Sequence, residues 1–172
     1  TWTIYHASLG ATKYVDFSTA AAYTSSLAWN NTAPTSTVVT VDQYANYGTG
    51  GQIAYCFAPV AGFSAFGSYV GNGLADGPFV FTGFRPAYLM VKRTSGGTEP
   101  WYVVDDKRAP SNVVDKLLLA NSSDAEYSGR TDFDLLSNGF KNRATFSGSN
   151  AAGETYIYMA FASNPFKYSL AR

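Results

Sequence analysis

"IYMAFASNPF", Ile157–Phe166, repeats the pattern of "IAYCFAPVAGF", Ile53–Phe63. Setting Phe57 on Phe161, an offset of 104 residues, brings Ile53 onto Ile157, Tyr55 onto Met159 and Ala58 onto Ala162. In the earlier copy Ile53, Tyr55 and Phe57 alternate with Ala54, Cys56 and Ala58, the period of a β-strand. Both faces are apolar, which predicts a central strand covered on both sides. Cys56 is then a small buried residue and, as the only cysteine, forms no internal disulfide.

Working outward, the echo extends along the chain. Ala21 meets Ala125, Tyr23 meets Tyr127 and Trp29 meets Phe133 at the same offset. With small gaps, "KYVDF" from Lys13 matches "KLLLA" from Lys116, and "WTIY" from Trp2 matches "WYVV" from Trp101. Chance similarity of short strands is the competing explanation, but the preserved order favours an internal duplication. The halves are about 1–69 and about 70–172, within a single module spanning 1–172. "GPFVFTGFRPAYLMVKRTSGGTEP", Gly77–Pro100, precedes Trp101, and nothing comparable precedes Trp2. The first half is thus expected to lack one strand pair, supplied upstream or by a neighbouring subunit, or dispensed with.

Composition supports the same class. Thirteen Tyr, 12 Phe and 16 Gly accompany only 14% charged residues, which fits strands joined by turns and excludes disorder. Strands are predicted at Thr3–Tyr5, Tyr14–Phe17, Val38–Val41, Gln52–Ala58, Phe79–Thr82, Ala87–Lys92, Trp101–Asp105, Lys116–Leu119, Ala144–Ser147 and Tyr156–Ala162. "GTGG", "GNGLADGP", "TSGGTEP", "SNG" and "GSNAAG" punctuate them. The expected fold is all-β, a two-sheet β-sandwich or jelly roll, lectin-like, with one continuous core. Zero net charge gives no electrostatic argument for nucleic acid, and no apolar run is long enough for a helical membrane span. Residues 1–86 carry only Lys13, Asp16, Asp42, Asp76 and Arg85 as charges. That stretch needs either a polar uncharged outer face or a subunit interface.

No constellation points to catalysis. His6 is the only histidine; it cannot build a histidine metal site and reads as a surface or strand-end residue. Asp105 and Asp106 beside Lys107 and Arg108 read as a charge-balanced turn. Asp132 and Asp134 could share a face, but the calcium-loop pattern is missing. The glycine runs lead into strands, so they cradle no phosphate. Asn30-Asn31-Thr32 and Asn121-Ser122-Ser123 match the short glycosylation pattern. No catalytic residue, metal or cofactor is therefore assigned. The best local binding candidate is Trp29 with Asn30 and Asn31, an aromatic face beside adaptable amides; a core indole at a sheet edge is the competing reading. Trp2 and Trp101, at matching positions, both read as core.

"GPFVFTGFRPAYLMVKR", "WYVVDDKR", "KLLLANSSDAE", "FDLLSNGFK" and "GETYIYMAFASNPFKY", in this order, resemble a module of tailed-bacteriophage virion proteins, tail-fibre-like or uncharacterised. "IAYCFAPVAGFSAFGSYVGNG" resembles the joint between consecutive copies. The resemblance implies a β-sandwich virion protein, on the particle surface, and carries over no catalytic residue. It implies contacts with copies of itself, trimeric by analogy with fibres, and with other virion proteins. Two non-catalytic functions are expected: a tail-fibre or adhesin module binding host-surface glycan or protein, or a purely structural part such as capsid decoration, fibre shaft or filament subunit. A depolymerase is the least supported.

Overall fold

The computed structural model describes residues 2–48 and 50–164; the Pro165–Phe166 exit of the echo lies outside them. The chain is all-β. Among the described residues, eleven strands are β1 (Thr3–Ile4), β2 (Lys13–Asp16), β3 (Tyr23–Thr24), β4 (Ser64–Val70), β5 (Phe79–Phe81), β6 (Pro86–Arg93), β7 (Trp101–Asp105), β8 (Val114–Leu119), β9 (Tyr127–Leu136), β10 (Gly139–Asn142) and β11 (Thr155–Ala162), with one helical turn α1 (Ser147–Asn150). β1-β2-β3 form a small sheet, and the other eight form a sheet in the order β4-β11-β6-β7-β8-β9-β10-β5. All pairings are antiparallel.

The large sheet curls until it nearly closes. Leu89, Val91, Val104, Phe133, Leu135 and Phe140 point inward and pack into one core. Tyr69 of β4 stacks on Tyr156 at 5.0 Å and meets Phe140 of β10 edge-on at 5.8 Å, so an aromatic column bridges the two ends of the sheet. Burial of such rings, each offering roughly 150–250 Å², gives the curl its driving force. The closing seam is tight at Gly139, where an added Cβ would stand 2.1 Å from the Val80 carbonyl oxygen. Gly139→Ala is expected to cost about 2–3 kcal/mol by prising β5 off β10; a loss of unfolding free energy in urea of less than about 0.5 kcal/mol would refute this.

The small sheet packs on the outer face of the large one. Val15 meets Trp101 and Ile157 there, with Ile4, Phe17 and Met90 around them. Trp101 donates its indole N–H to the Asp16 carbonyl at 3.0 Å and stacks on Phe17 at 5.7 Å. Lys92, fully buried at this junction, donates from Nζ to the carbonyls of Thr19 and Glu99 at 3.1 and 2.6 Å. Burial pulls its pKa down to about 8.

The two β-meanders share a register. Thr3 faces Asp16 and Ile4 faces Val15, as Tyr102 faces Leu119 and Val103 faces Leu118. Lys13 faces Thr24 and Tyr14 faces Tyr23, as Lys116 faces Ser128 and Leu117 faces Tyr127. These are the residue pairs that the Trp, Lys and Tyr echoes align. The turns agree too: Phe17 N–H donates to the Trp2 carbonyl and Ala120 N–H to the Trp101 carbonyl, at 3.1 and 2.9 Å. His6 Nδ1 accepts from Ser8 N–H as Asp105 Oδ1 accepts from Lys107 N–H.

The structure departs from the sequence expectation at several places. Gln52–Ala58 is not a strand but an exposed extended segment, and Cys56 is exposed; the strand lies later, at β4. Val38–Val41 forms none either, because Thr35 captures it locally: Thr35 N–H donates to the Val38 carbonyl and Val38 N–H to Thr35 Oγ1. Ala144–Ser147 leads into α1, and the Ala144 carbonyl accepts from the Asn150 amide. Trp2 is 54% exposed, unlike Trp101 at 5%.

Candidate binding surface

The most unusual surface is built by residues 52–60. Ile53, Tyr55 and Phe57 are 72%, 67% and 61% exposed. Among the described residues, none from 53 to 59 donates or accepts a backbone–backbone hydrogen bond. The segment is moored by side chains instead. Tyr55 meets Trp2 at 5.5 Å, and Phe57 lies 6.3 Å from Phe66 and 6.0 Å from Phe161. Ser64 Oγ donates to the Ala58 carbonyl at 2.8 Å. No charged residue occurs between Asp42 and Asp76, so this apolar surface has no ionic rim of its own. Contiguous exposed aromatics of this kind mark contact surfaces. Between the segment and β1 lies an apolar cleft of about 230 Å³ lined by Trp2, Ile4, Phe17 and Tyr55.

A second concavity, about 260 Å³, opens beside the interior of the large sheet next to α1. Leu117, Leu119 and Pro100 form apolar walls, and Tyr102, Tyr127 and Phe146 supply rings. Arg130 lies over the Phe146 ring at 4.2 Å and pairs with Asp132 at 2.8 Å. Below it, Glu99 is a hub: it accepts from the Tyr102 hydroxyl at 2.8 Å and from Ser147 Oγ at 2.6 Å. Arg93 lies 3.9 Å from Glu99 and 3.4 Å from Glu154. Burial and the Glu99 bond push the Tyr102 hydroxyl far above the ordinary phenol range. Rings beside a neutralised Arg–Asp pair could stack on and hydrogen-bond a small polar ring.

The residues singled out by sequence fall elsewhere. Trp29 is 5% exposed, meets Tyr5 edge-on at 5.6 Å and donates its N–H to the Lys13 carbonyl at 3.0 Å. Its ring is packed under the small sheet, while Asn30 and Asn31 form an exposed turn with φ of 47° and 50°. The three therefore present amides but no open aromatic face. His6 is buried rather than at the surface, with Nε2 3.3 Å from the Tyr158 carbonyl; burial lowers its pKa. Asp132 pairs with Arg130 and Asp134 with Arg143, and no cluster of three metal-ligating side chains occurs among the described residues. Tyr55 was legible only as a strand residue and Tyr127 only as part of the echo, and Arg130 was not singled out, since exposure is not written in alternation.

Residues 1–165 match the model of a family described as a domain of unknown function, DUF7483, and the chain belongs to that family. No curated protein and no solved structure matches it.

Proposed function

We propose that this member of the DUF7483 family is a non-catalytic structural module of tailed-bacteriophage virion proteins, displayed on the particle in a tail-fibre-like adhesin. Its architecture is read as a lectin-like variation on the two-sheet sandwich, built from a duplicated unit. The observation that carries the reading is the exposed, uncharged apolar surface of Ile53, Tyr55 and Phe57, two of them aromatic, on a β-scaffold. Large rings supply rigid contact area at recognition surfaces. The partners are other copies of the chain, other virion proteins and a host-surface glycan or protein. For a glycan, the concavity of Tyr127, Arg130 and Phe146 offers rings to stack on and a guanidinium to donate hydrogen bonds.

The test is binding of the purified native assembly to glycan arrays and host cells. Tyr127→Ala and Arg130→Ala are each expected to weaken glycan binding about five- to 150-fold, since each removes a stacking or hydrogen-bonding group worth about 1–3 kcal/mol. Absence of binding by the wild-type assembly to glycans and cells would overturn the adhesin reading. The extended unpaired segment specifically favours a second, purely structural reading, in which the module assembles a shaft, decoration or filament. Location at a continuous fibre or lattice rather than a distal tip would select it.

A further inference from the structure

In the large sheet, β6 lies between β11 and β7. Met90 is flanked by Met159 and Val103, and Lys92 by Ile157 and Trp101. Among the described residues, the small sheet has counterparts for both flanks but not for the middle. By the echo, Ile4 stands where Val103 does and Tyr55 where Met159 does; Trp2 stands for Trp101 and Ile53 for Ile157. The cleft of Trp2, Ile4, Phe17 and Tyr55 lies between those two flanks. On its open side β1 has no strand partner among the described residues, and the 52–58 segment has none on either side. Two unpaired backbones thus border one apolar slot.

We infer that this slot is a docking site for one extended strand of the β6 type, contributed by a further unit of the same family, which inserts between β1 and residues 52–58 and turns them into a continuous ladder. The inference rests on the duplicated-unit reading above. The inserted strand is antiparallel to β1 and to the segment, as β6 is to β7 and β11. Its residue equivalent to Met90 fills the cleft between Tyr55 and Ile4. The next residue on the same face sits between Ile53 and Trp2. Main-chain hydrogen bonds supply affinity and the cleft supplies register, the logic of strand addition. A strand of the β6 type carries the counterparts of Lys92 and Arg93, and the lack of charge from residue 43 to residue 75 leaves no like charge in that stretch to oppose them.

The experiment fuses a second copy of Gly77–Arg93 ahead of Trp2 in the full chain through a flexible linker, with a scrambled copy as control. Amide hydrogen exchange of residues 3–4 and 53–58 is expected to slow at least tenfold relative to the control, and Trp2 fluorescence to shift to the blue. Tyr55→Lys in the fused chain, a change at an exposed position, is expected to reverse the protection. Equal exchange in the fused and control chains overturns the inference. So does protection gained at β7 and β11 instead, which would mean that the added strand merely replaces β6. Cross-strand contacts Lys13–Thr24 and Lys116–Ser128, read by NMR in the same samples, test the duplicated unit alone. If they are present and no protection is gained, the docking fails and the duplication stands; if they are absent, both fail.

Discussion

Trp101→Ala is expected to lower stability by about 3–5 kcal/mol, a large share of what a domain of this size possesses. The indole is the keystone between the sheets. It buries against Val15 and Ile157, stacks on Phe17 and holds the Asp16 carbonyl. Removal leaves a void and an unpaired carbonyl, and the two-residue strands β1 and β3 have few hydrogen bonds of their own to resist. The small sheet is therefore expected to open before the large one. Urea unfolding followed by circular dichroism, with exchange rates in β2 and β8 compared, checks both. A loss under about 1 kcal/mol, or equal loosening of β2 and β8, would show that the small sheet does not depend on this contact.

The second large effect is in the pH dependence of stability. Lys92 has a folded pKa of about 8 against an ordinary 10.5. Between those values the unfolded chain holds a proton that the folded chain has released, so stability rises with pH across this window, by up to about 3 kcal/mol. Tyr69, Tyr88, Tyr102, Tyr156 and Tyr158 all have raised pKa values, chiefly through burial. The unfolded chain ionises them near 10 while the folded chain does not, so stability falls above that pH. His6 acts at the other end. Its folded pKa is lowered from 6.5, so stability falls as pH drops through about 6.5, when the unfolded chain takes up a proton that the buried ring refuses. Urea midpoints at intervals from pH 5 to 11 should climb below neutrality, climb again from 8, and drop steeply beyond 10. Lys92→Met should flatten the middle rise; a wild-type profile already flat between 8 and 10 would contradict the buried ammonium.

Much of the scaffold was legible because it obeys alternation. β6, β7 and β11 send Leu89, Tyr102 and Tyr156 inward and Met90, Trp101 and Ile157 outward, and both faces are covered, so the apolar runs read as strands. β9 was not legible. Its first half, "YSGRTD", carries a glycine with φ of 73° and an Arg130–Asp132 pair that hides a polar face. β10 is only four residues long. The segment 52–58 has strand chemistry but no partner. Alternation records fitness for a ladder and is silent about whether a neighbouring strand is present. The same gap separates the surface read from Trp29, Asn30 and Asn31 from the one built by Tyr55 and Phe57. An aromatic beside two amides looks alike whether its ring is packed or presented, and only the tertiary fold decides.

Two stretches that share a pattern thus differ in whether a ladder holds them. Site-resolved amide hydrogen exchange of residues 53–58 and 157–161, in one dilute sample of the chain, tests it most directly. Residues 157–161 are hydrogen-bonded between β4 and β6 and should be protected close to the global unfolding limit. Residues 53–58 should exchange near the rate of an open chain. Comparable protection of both stretches would mean that the first is already a ladder strand, and would contradict an open slot beside β1.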